Sequence, residues 1–303
     1  MTPSPAPAES RLDRLEAEAV YILRELCGYA RPALMFSGGK DSAVLLHLAL
    51  KAFAPAKPPF TLLHIDTGHN FPEVLAFRDV RAAAAALKLV VRSVEDSIRR
   101  GSVVVAGPLA SRNAAQAVTL LEAQKEFGFD ALIGGARRDE EKARAKERVF
   151  SHRDAFGAWR PRAQRPELWG LYNRHVGPGE HMRVFPLSNW TEADVWAYIA
   201  REHVALPRLY YAHLRDVVRR DGLLFPVTEL TPRAEGETVE RLSVRFRTVG
   251  DVTCTCPVES SAANPEQVLA ETLTTAVSER GATRMDDRAN AAAMERRKVE
   301  GYF

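Results

Sequence analysis

The chain is poor in cysteine: Cys27, Cys254 and Cys256 are all that 303 residues contain. That excludes a disulfide framework and suits a reducing compartment. It also lacks any apolar run approaching the roughly eighteen residues that a membrane helix needs. Its start, "MTPSPAPAES", has no apolar segment behind a basic stretch, so no secretory leader is expected. The expectation is a cytoplasmic protein with no membrane attachment. Charge of one sign is scarce too. Forty-two Lys and Arg against 39 Asp and Glu leave +3, too little for a global field toward nucleic acid or an anionic surface. Any anion site must therefore be local. Internal repeats are absent, the alanine run 82–86 is the only low-complexity tract, and no G-x-x-x-x-G-K-[ST] string occurs.

What is present is 46% hydrophobic residues, enough for one large core or two modest ones. Residues 1–9 read as a disordered start. Ser10 followed by Asp13 resembles a capping box, and Leu12, Leu15, Ala19, Ile22, Leu23 and Leu26 then recur at helical spacing. From there to about residue 200 strands and helices alternate. Strands are expected at 33–36, 61–66, 88–93 and 130–135, with helices at 40–53, 71–87 and 113–128. Continuous apolar strands separated by long helices imply an α/β fold, a parallel twisted sheet with helices on both faces. Residues 201–303, with Pro207, Pro226 and Pro232, a strand-like "RLSVRF" and helical segments from about 265 and 286, read as an irregular α+β region.

In a parallel sheet ligands sit at the carboxyl ends of the strands. Three strings follow strands there: "SGGKDS", "DTGHNF" and "GGARRDEE". A helix beginning at Lys40 offers unpaired N–H groups and a positive dipole end, while Gly38 and Gly39 let a bulky anion approach the backbone. Lys40 adds charge; Ser37 and Ser42 add hydroxyl donors. The loop asks for a phosphate. Arg137 and Arg138, following Gly135, oppose the dipole of any helix they open and so call for an oxyanion. For Lys142 to Arg148 a solvated, salt-bridged helix is expected. Asp41 is either a first-turn stabiliser or a partner of Lys40 or Mg²⁺, and Asp66 either caps the next helix or contacts ribose or metal. Trp190 and Trp196 read as core anchors. Cys254 and Cys256 fall short of four zinc ligands, so no metal site is expected.

"SGGKDS" resembles the PP-loop of the ATP pyrophosphatases. With "LLHIDTGHNFPEV", "GGARRDEEKARAKERVFS", "QRPELW", "RVFPLSNWTEADVWAYI", "VRFRTVGDVTC", "VESSA" and "GYF", the chain from about residue 12 to Phe303 resembles the small, catalytic subunits of heterodimeric bacterial sulfate adenylyltransferases. The resemblance implies a nucleotide-binding catalytic domain over 10–200 and a nucleotidyltransferase of sulfate activation: ATP plus sulfate gives adenosine 5′-phosphosulfate and pyrophosphate. It implies Mg²⁺ arriving with ATP, and Lys40, Arg137 and Arg138 as catalytic cations. Ser37, Gly38, Gly39, Asp41, Ser42, Asp66 and Gly135 would join Lys40 around ATP and pyrophosphate. It further implies a GTPase large subunit as partner; the region 201–303, with its prolines and its basic stretch "MERRKVEGYF", is expected to form part of that contact. Two rivals stand beside it. A sulfonucleotide reductase keeps the loop but needs a redox cysteine near the chain end, where the last 47 residues hold none; a catalytically silent nucleotide-binding regulatory subunit needs only the loop.

Overall fold

The computed structural model describes residues 9–105, 107, 112–140 and 142–275. The readings made for residues 1–8, for a helix from about 286 and for "MERRKVEGYF" lie outside the described residues. The chain opens with α1 (Arg11–Glu25), whose capping box is present: the Ser10 hydroxyl accepts from the Asp13 N–H at 3.2 Å and the Asp13 carboxylate from the Ser10 N–H at 3.1 Å. There follow β1 (Pro32–Met35), α2 (Lys40–Phe53), β2 (Thr61–Asp66), α3 (Pro72–Ala85), β3 (Leu89–Ser93), α4 (Val94–Arg99), α5 (Asn113–Phe127), β4 (Ala131–Ile133), α6 (Lys142–Ala145), β5 (Phe150–Arg153), β6 (His181–Val184) and α7 (Glu192–Glu202).

The first sheet runs β3-β2-β1-β4-β6-β5, parallel except for β5 at its edge. Alternation along the strands loads both faces. Leu34, Leu62, Ile133 and Val184 pack in one core with Leu45, Leu48, Trp190 and Trp196. Ala33, Leu63 and Leu132 pack on the other side against Leu120 and Ala123 of α5. Both tryptophans are fully buried, as core anchors are. Among the described residues no helix is long and apolar enough to cross a membrane.

A second sheet occupies the C-terminal region: β7 (His213–Arg220), β8 (Leu223–Pro226), β9 (Glu240–Arg245) and β10 (Val258–Glu259), antiparallel in the order β10-β9-β7-β8, followed by α8 (Pro265–Thr274). Cys256 lies in the apolar cluster of Val218 and Phe225.

The solvated helix expected at Lys142 to Arg148 requires correction. α6 is a single turn, and Arg144 and Glu147 are buried. Arg144 pairs with Glu140, while Glu147 accepts from the Ser151 hydroxyl at 2.7 Å and pairs with Arg153.

β5 and β6 escaped the sequence reading because most of their residues are polar. They bury Arg153, His181 and Arg183 on the sheet face opposite Met182 and Val184. Arg183 Nε donates to His181 Nε2 at 3.2 Å, so the imidazole accepts there and is neutral. Burial, then the charges of Arg183 and Arg153, push His181 down to about 2. The unfolded chain takes up a proton near pH 6.5 that the folded chain refuses, so stability present at neutral pH is lost as pH falls below 6.5. This group alone accounts for about 2 kcal/mol by pH 5. His181→Gln keeps an acceptor for Arg183 and is expected to flatten the decline of Tm between pH 7 and pH 5. Parallel declines in wild type and variant would show that His181 is charged in the fold.

Candidate functional site

The carboxyl edge of the first sheet is built around the turn from β1 into α2. Gly38 holds φ +81°, and a Cβ there would stand 2.7 Å from Val74 Cγ1. Both the backbone and the space thus require glycine. Gly39 is the N-cap of α2 and has no side chain to satisfy the first N–H groups. The loop closes on itself instead: Gly39 N–H donates to Ser37 Oγ at 3.2 Å, and Ser42 Oγ donates to the Gly39 carbonyl at 2.9 Å and lies 3.2 Å from Ser37 Oγ. The Lys40 N–H reaches across the molecule to the Tyr210 hydroxyl, which accepts at 2.8 Å.

Lys40 is 1% exposed, and its Nζ lies 3.2 Å from Asp41. Asp41 also pairs with the equally buried Arg137, and Arg137 lies 3.5 Å from Glu140, which pairs in turn with Arg144. Three cations and two carboxylates thus alternate in one chain around the start of α2. That alternation is how several charges are kept in a buried place. Asp41 stands in the first turn of α2 and beside Lys40.

Two hollows meet at this chain. The larger, about 240 Å³, is lined by Phe36, Leu63, Ile65, Leu120 and Phe185 at its apolar end. The smaller, about 130 Å³, is lined by Gly39, Lys40, Tyr210 and Thr248. Ser37, Asp41, Ser42, Glu140, Arg144 and Val249 line both. A flat, largely apolar group fits the first and an anion the second; a molecule joining the two would pass Arg144 and Glu140.

The remaining expected residues are placed as follows. Gly135 lines the larger hollow and lies so close to α2 that a Cβ on it would fall 2.9 Å from Asp41 Cβ and 3.1 Å from the Asp41 backbone. Arg137 lines neither hollow; it braces Asp41. Arg138 is turned away, donating to Asn189 Oδ1 and, at 3.4 Å, to the Glu147 carbonyl. Asp66 accepts from the Gly68 N–H at 2.8 Å, holding the turn after β2. It does not cap α3, whose N-cap is Phe71, and it lines neither hollow, although Ile65 and Thr67 beside it line the larger.

Sequence reasoning missed four contributors: Glu140, Arg144, Tyr210 and the loop 248–251. The first two were folded into a charge run. The loop is carried by the second sheet and stitched to the turn after β2. Thr67 Oγ1 donates to Asp251 at 2.6 Å, and the Val252 N–H donates to the His69 carbonyl at 2.8 Å. The Arg215 guanidinium stacks on Phe71 and Phe246 at 5.6 and 5.3 Å. The C-terminal region therefore completes the site, a fact carried by contacts that span some 180 positions, as Thr67 to Asp251 does with a separation of 184.

Known proteins resemble this chain over nearly its whole length. Residues 31–257 match the model of the phosphoadenosine phosphosulfate reductase domain. Sulfate adenylyltransferase subunit 2 of Mycobacterium sp. (strain JLS) is 59% identical over 99% of this chain and 97% of its own length. That of Streptomyces lavendulae is 59% identical over 97% and 92%. Among solved structures, the FMN adenylyltransferase of Candida glabrata in complex with FMN and an ATP analogue superposes with a TM-score of 0.52 at 15% identity, covering 96% of this chain and 87% of that one. The last likeness concerns the fold alone. The domain family takes its description from a reductase, but the relatives that span the whole chain are adenylyltransferase subunits, and the reductase alternative finds no support among them. The chain belongs to the sulfate adenylyltransferase subunit 2 family, a group of nucleotidyltransferases built on the PP-loop fold.

Proposed function

We infer that the chain transfers the adenylyl group of ATP to sulfate. The observation that carries this is the meeting of an apolar and a polar hollow at the uncapped start of α2, with Arg144 and Glu140 lining both. Adenosine fills the larger hollow, the β- and γ-phosphates take the smaller beside Lys40, and the α-phosphorus lies between. One sulfate oxygen attacks the α-phosphorus in line; the new O–P bond forms as the bond to the bridging oxygen breaks, and pyrophosphate departs with that electron pair. Sulfate is already ionised, so no general base is required, and catalysis rests on positioning and charge. Lys40 stabilises the departing pyrophosphate, Arg144 the transferring phosphoryl, and Arg137 holds Asp41. ATP enters as its Mg²⁺ complex. Asp41 and Glu140 suit an ion of this kind, which keeps water and phosphate oxygens as ligands and needs few from the protein.

The relatives are numbered as a second subunit, which supports a hetero-oligomer with a large subunit. We take that subunit to be a GTPase. Making a phosphosulfate anhydride at the expense of a phosphoanhydride is uphill, and no catalyst alters the equilibrium. A second nucleotide hydrolysis can drive it, but this chain has one phosphate loop and no Walker A string. The region 201–303 contributes part of the contact, and the complex works in the cytoplasm. The test is synthesis of labelled phosphosulfate from ATP, Mg²⁺ and radiolabelled sulfate by the isolated chain, then with the GTPase and GTP, then with a non-hydrolysable analogue. Accumulation is expected to rise with GTP and not with the analogue. Sulfite release with thioredoxin would support a reductase, nucleotide binding without turnover a regulator, and full GTP-insensitive accumulation by the isolated chain would end the coupling idea.

A further inference from the structure

Between β5 and β6 the chain makes a long excursion, residues 154–180, which is tightly held. The Glu167 carboxylate accepts from the N–H groups of Val149 and Phe150 at 2.7 and 2.9 Å, and Gln164 accepts from the His152 N–H at 3.0 Å. The Arg165 guanidinium donates to the carbonyls of Leu171 and Tyr172 at 2.7 and 3.0 Å, and Tyr172 stacks on Phe150 at 4.9 Å. The excursion thereby covers the edge strand β5.

On this rigid support three apolar side chains face outward. Leu168 is 57% exposed, Trp169 90% and Leu171 56%. Trp169 adopts φ 55°, ψ 28°, a left-handed conformation that bulky residues rarely take. A pinned loop that displays an indole and two leucines forgoes burial that would stabilise the chain alone. Preorganised aromatic side chains of this kind are what anchor protein interfaces.

The surroundings define the partner. Arg162 is exposed and has no ion-pair partner among the described residues. The acids of the excursion are engaged: Asp154 with Arg160 at 2.7 Å, Glu180 with His152 at 2.9 Å and Glu167 with backbone N–H groups. Arg165, also exposed, donates to the carbonyls of Leu171 and Tyr172 beside the apolar side chains, so the excursion presents two cations and no free carboxylate of its own. Cations on the same excursion as an apolar knob select a socket that carries carboxylates at its rim.

We propose that Leu168, Trp169 and Leu171 form a docking knob for the companion subunit, which presents an apolar socket with an acidic rim. This rests on the hetero-oligomeric reading above and adds a face outside region 201–303. The face is also linked to the site: Glu167 holds the start of β5, and the Glu147 N–H just before it donates to the Arg144 carbonyl at 3.0 Å.

The experiment measures the affinity of the full chain for the purified companion subunit by calorimetry and sedimentation. Trp169→Ala is expected to weaken association about a hundredfold and Arg162→Glu about tenfold, the latter effect shrinking at high salt. Val80→Ser, another exposed apolar position on α3, should change nothing, and all variants should melt as wild type does. Wild-type affinity in Trp169→Ala and in Leu168→Ser/Leu171→Ser overturns the proposal. So does a wild-type chain that self-associates through Trp169 while its binding to the companion is indifferent to that residue. If the wild-type chain fails to bind the companion at all, the hetero-oligomeric reading falls and takes the knob with it; if it binds and Trp169 is silent, only the knob falls.

Discussion

Arg144→Met is expected to lower kcat about a thousandfold while KM for ATP moves far less. Arg144 is buried, pairs with Glu140 and lines both hollows, so it stands where a nucleoside and its phosphates must join. A guanidinium there can donate to two equatorial oxygens of the transferring phosphoryl as charge develops. Removing such a contact from an enclosed site costs about 3–4 kcal/mol in the transition state. A second cost follows, because Glu140 loses a neighbouring cation beside a polyphosphate. Arg144→Met/Glu140→Gln is therefore expected to recover part of the loss, which a simple packing defect would not do. Arg138→Met is the contrasting variant. Its side chain serves Asn189 and the Glu147 carbonyl, and a change within about threefold is expected. Pre-steady-state formation of phosphosulfate measures all three. A normal rate in Arg144→Met, or a collapse in Arg138→Met, would reverse the two assignments.

The contrast between these arginines shows what the sequence makes legible. "SGGKDS" between an apolar strand and an apolar helix declares its own geometry, because glycine freedom, an uncapped helix start and a lysine are local facts. They are present at Gly38, Gly39 and Lys40 as expected. The parallel sheet was equally open to reading wherever strands were apolar. It was closed at β5 and β6, where buried Arg153, His181 and Arg183 break the pattern. In "ARRDEEKARAKER" six like residues compete, and only tertiary packing decides which arginine faces a ligand. Arg137 ends against Asp41, Arg138 faces outward and Arg144 turns in. Nor could local pattern reveal Tyr210, which lies 170 positions from the N–H it accepts. The family resemblance names a function from whole motifs, whereas the burial and pairing within each motif belong to the fold.

Lys40→Ala is the second large effect, about a hundredfold in turnover with the fold retained. Lys40 opens α2 and lines the smaller hollow, and its ammonium is almost wholly screened from water. Its charge is worth more there than on the surface, and a departing pyrophosphate is where negative charge accumulates in adenylyl transfer. Loss of one charge-assisted contact to that group costs about 3 kcal/mol, which is the hundredfold. Two features protect the fold. The N–H that meets Tyr210 is backbone and survives the substitution, and alanine is a good residue in a first helical turn. Asp41 loses one partner but keeps Arg137, so the carboxylate is not stranded. The loss should therefore fall on kcat, and the reverse reaction should reveal it as weaker binding of pyrophosphate. Lys40→Arg restores charge without the compact ammonium and is expected to recover a minor part. Measuring the exchange of labelled pyrophosphate into ATP isolates this step from any effect of a partner. A well-folded Lys40→Ala chain that exchanges pyrophosphate at the wild-type rate would remove the loop from the mechanism, and with it the assignment of the smaller hollow to the leaving group.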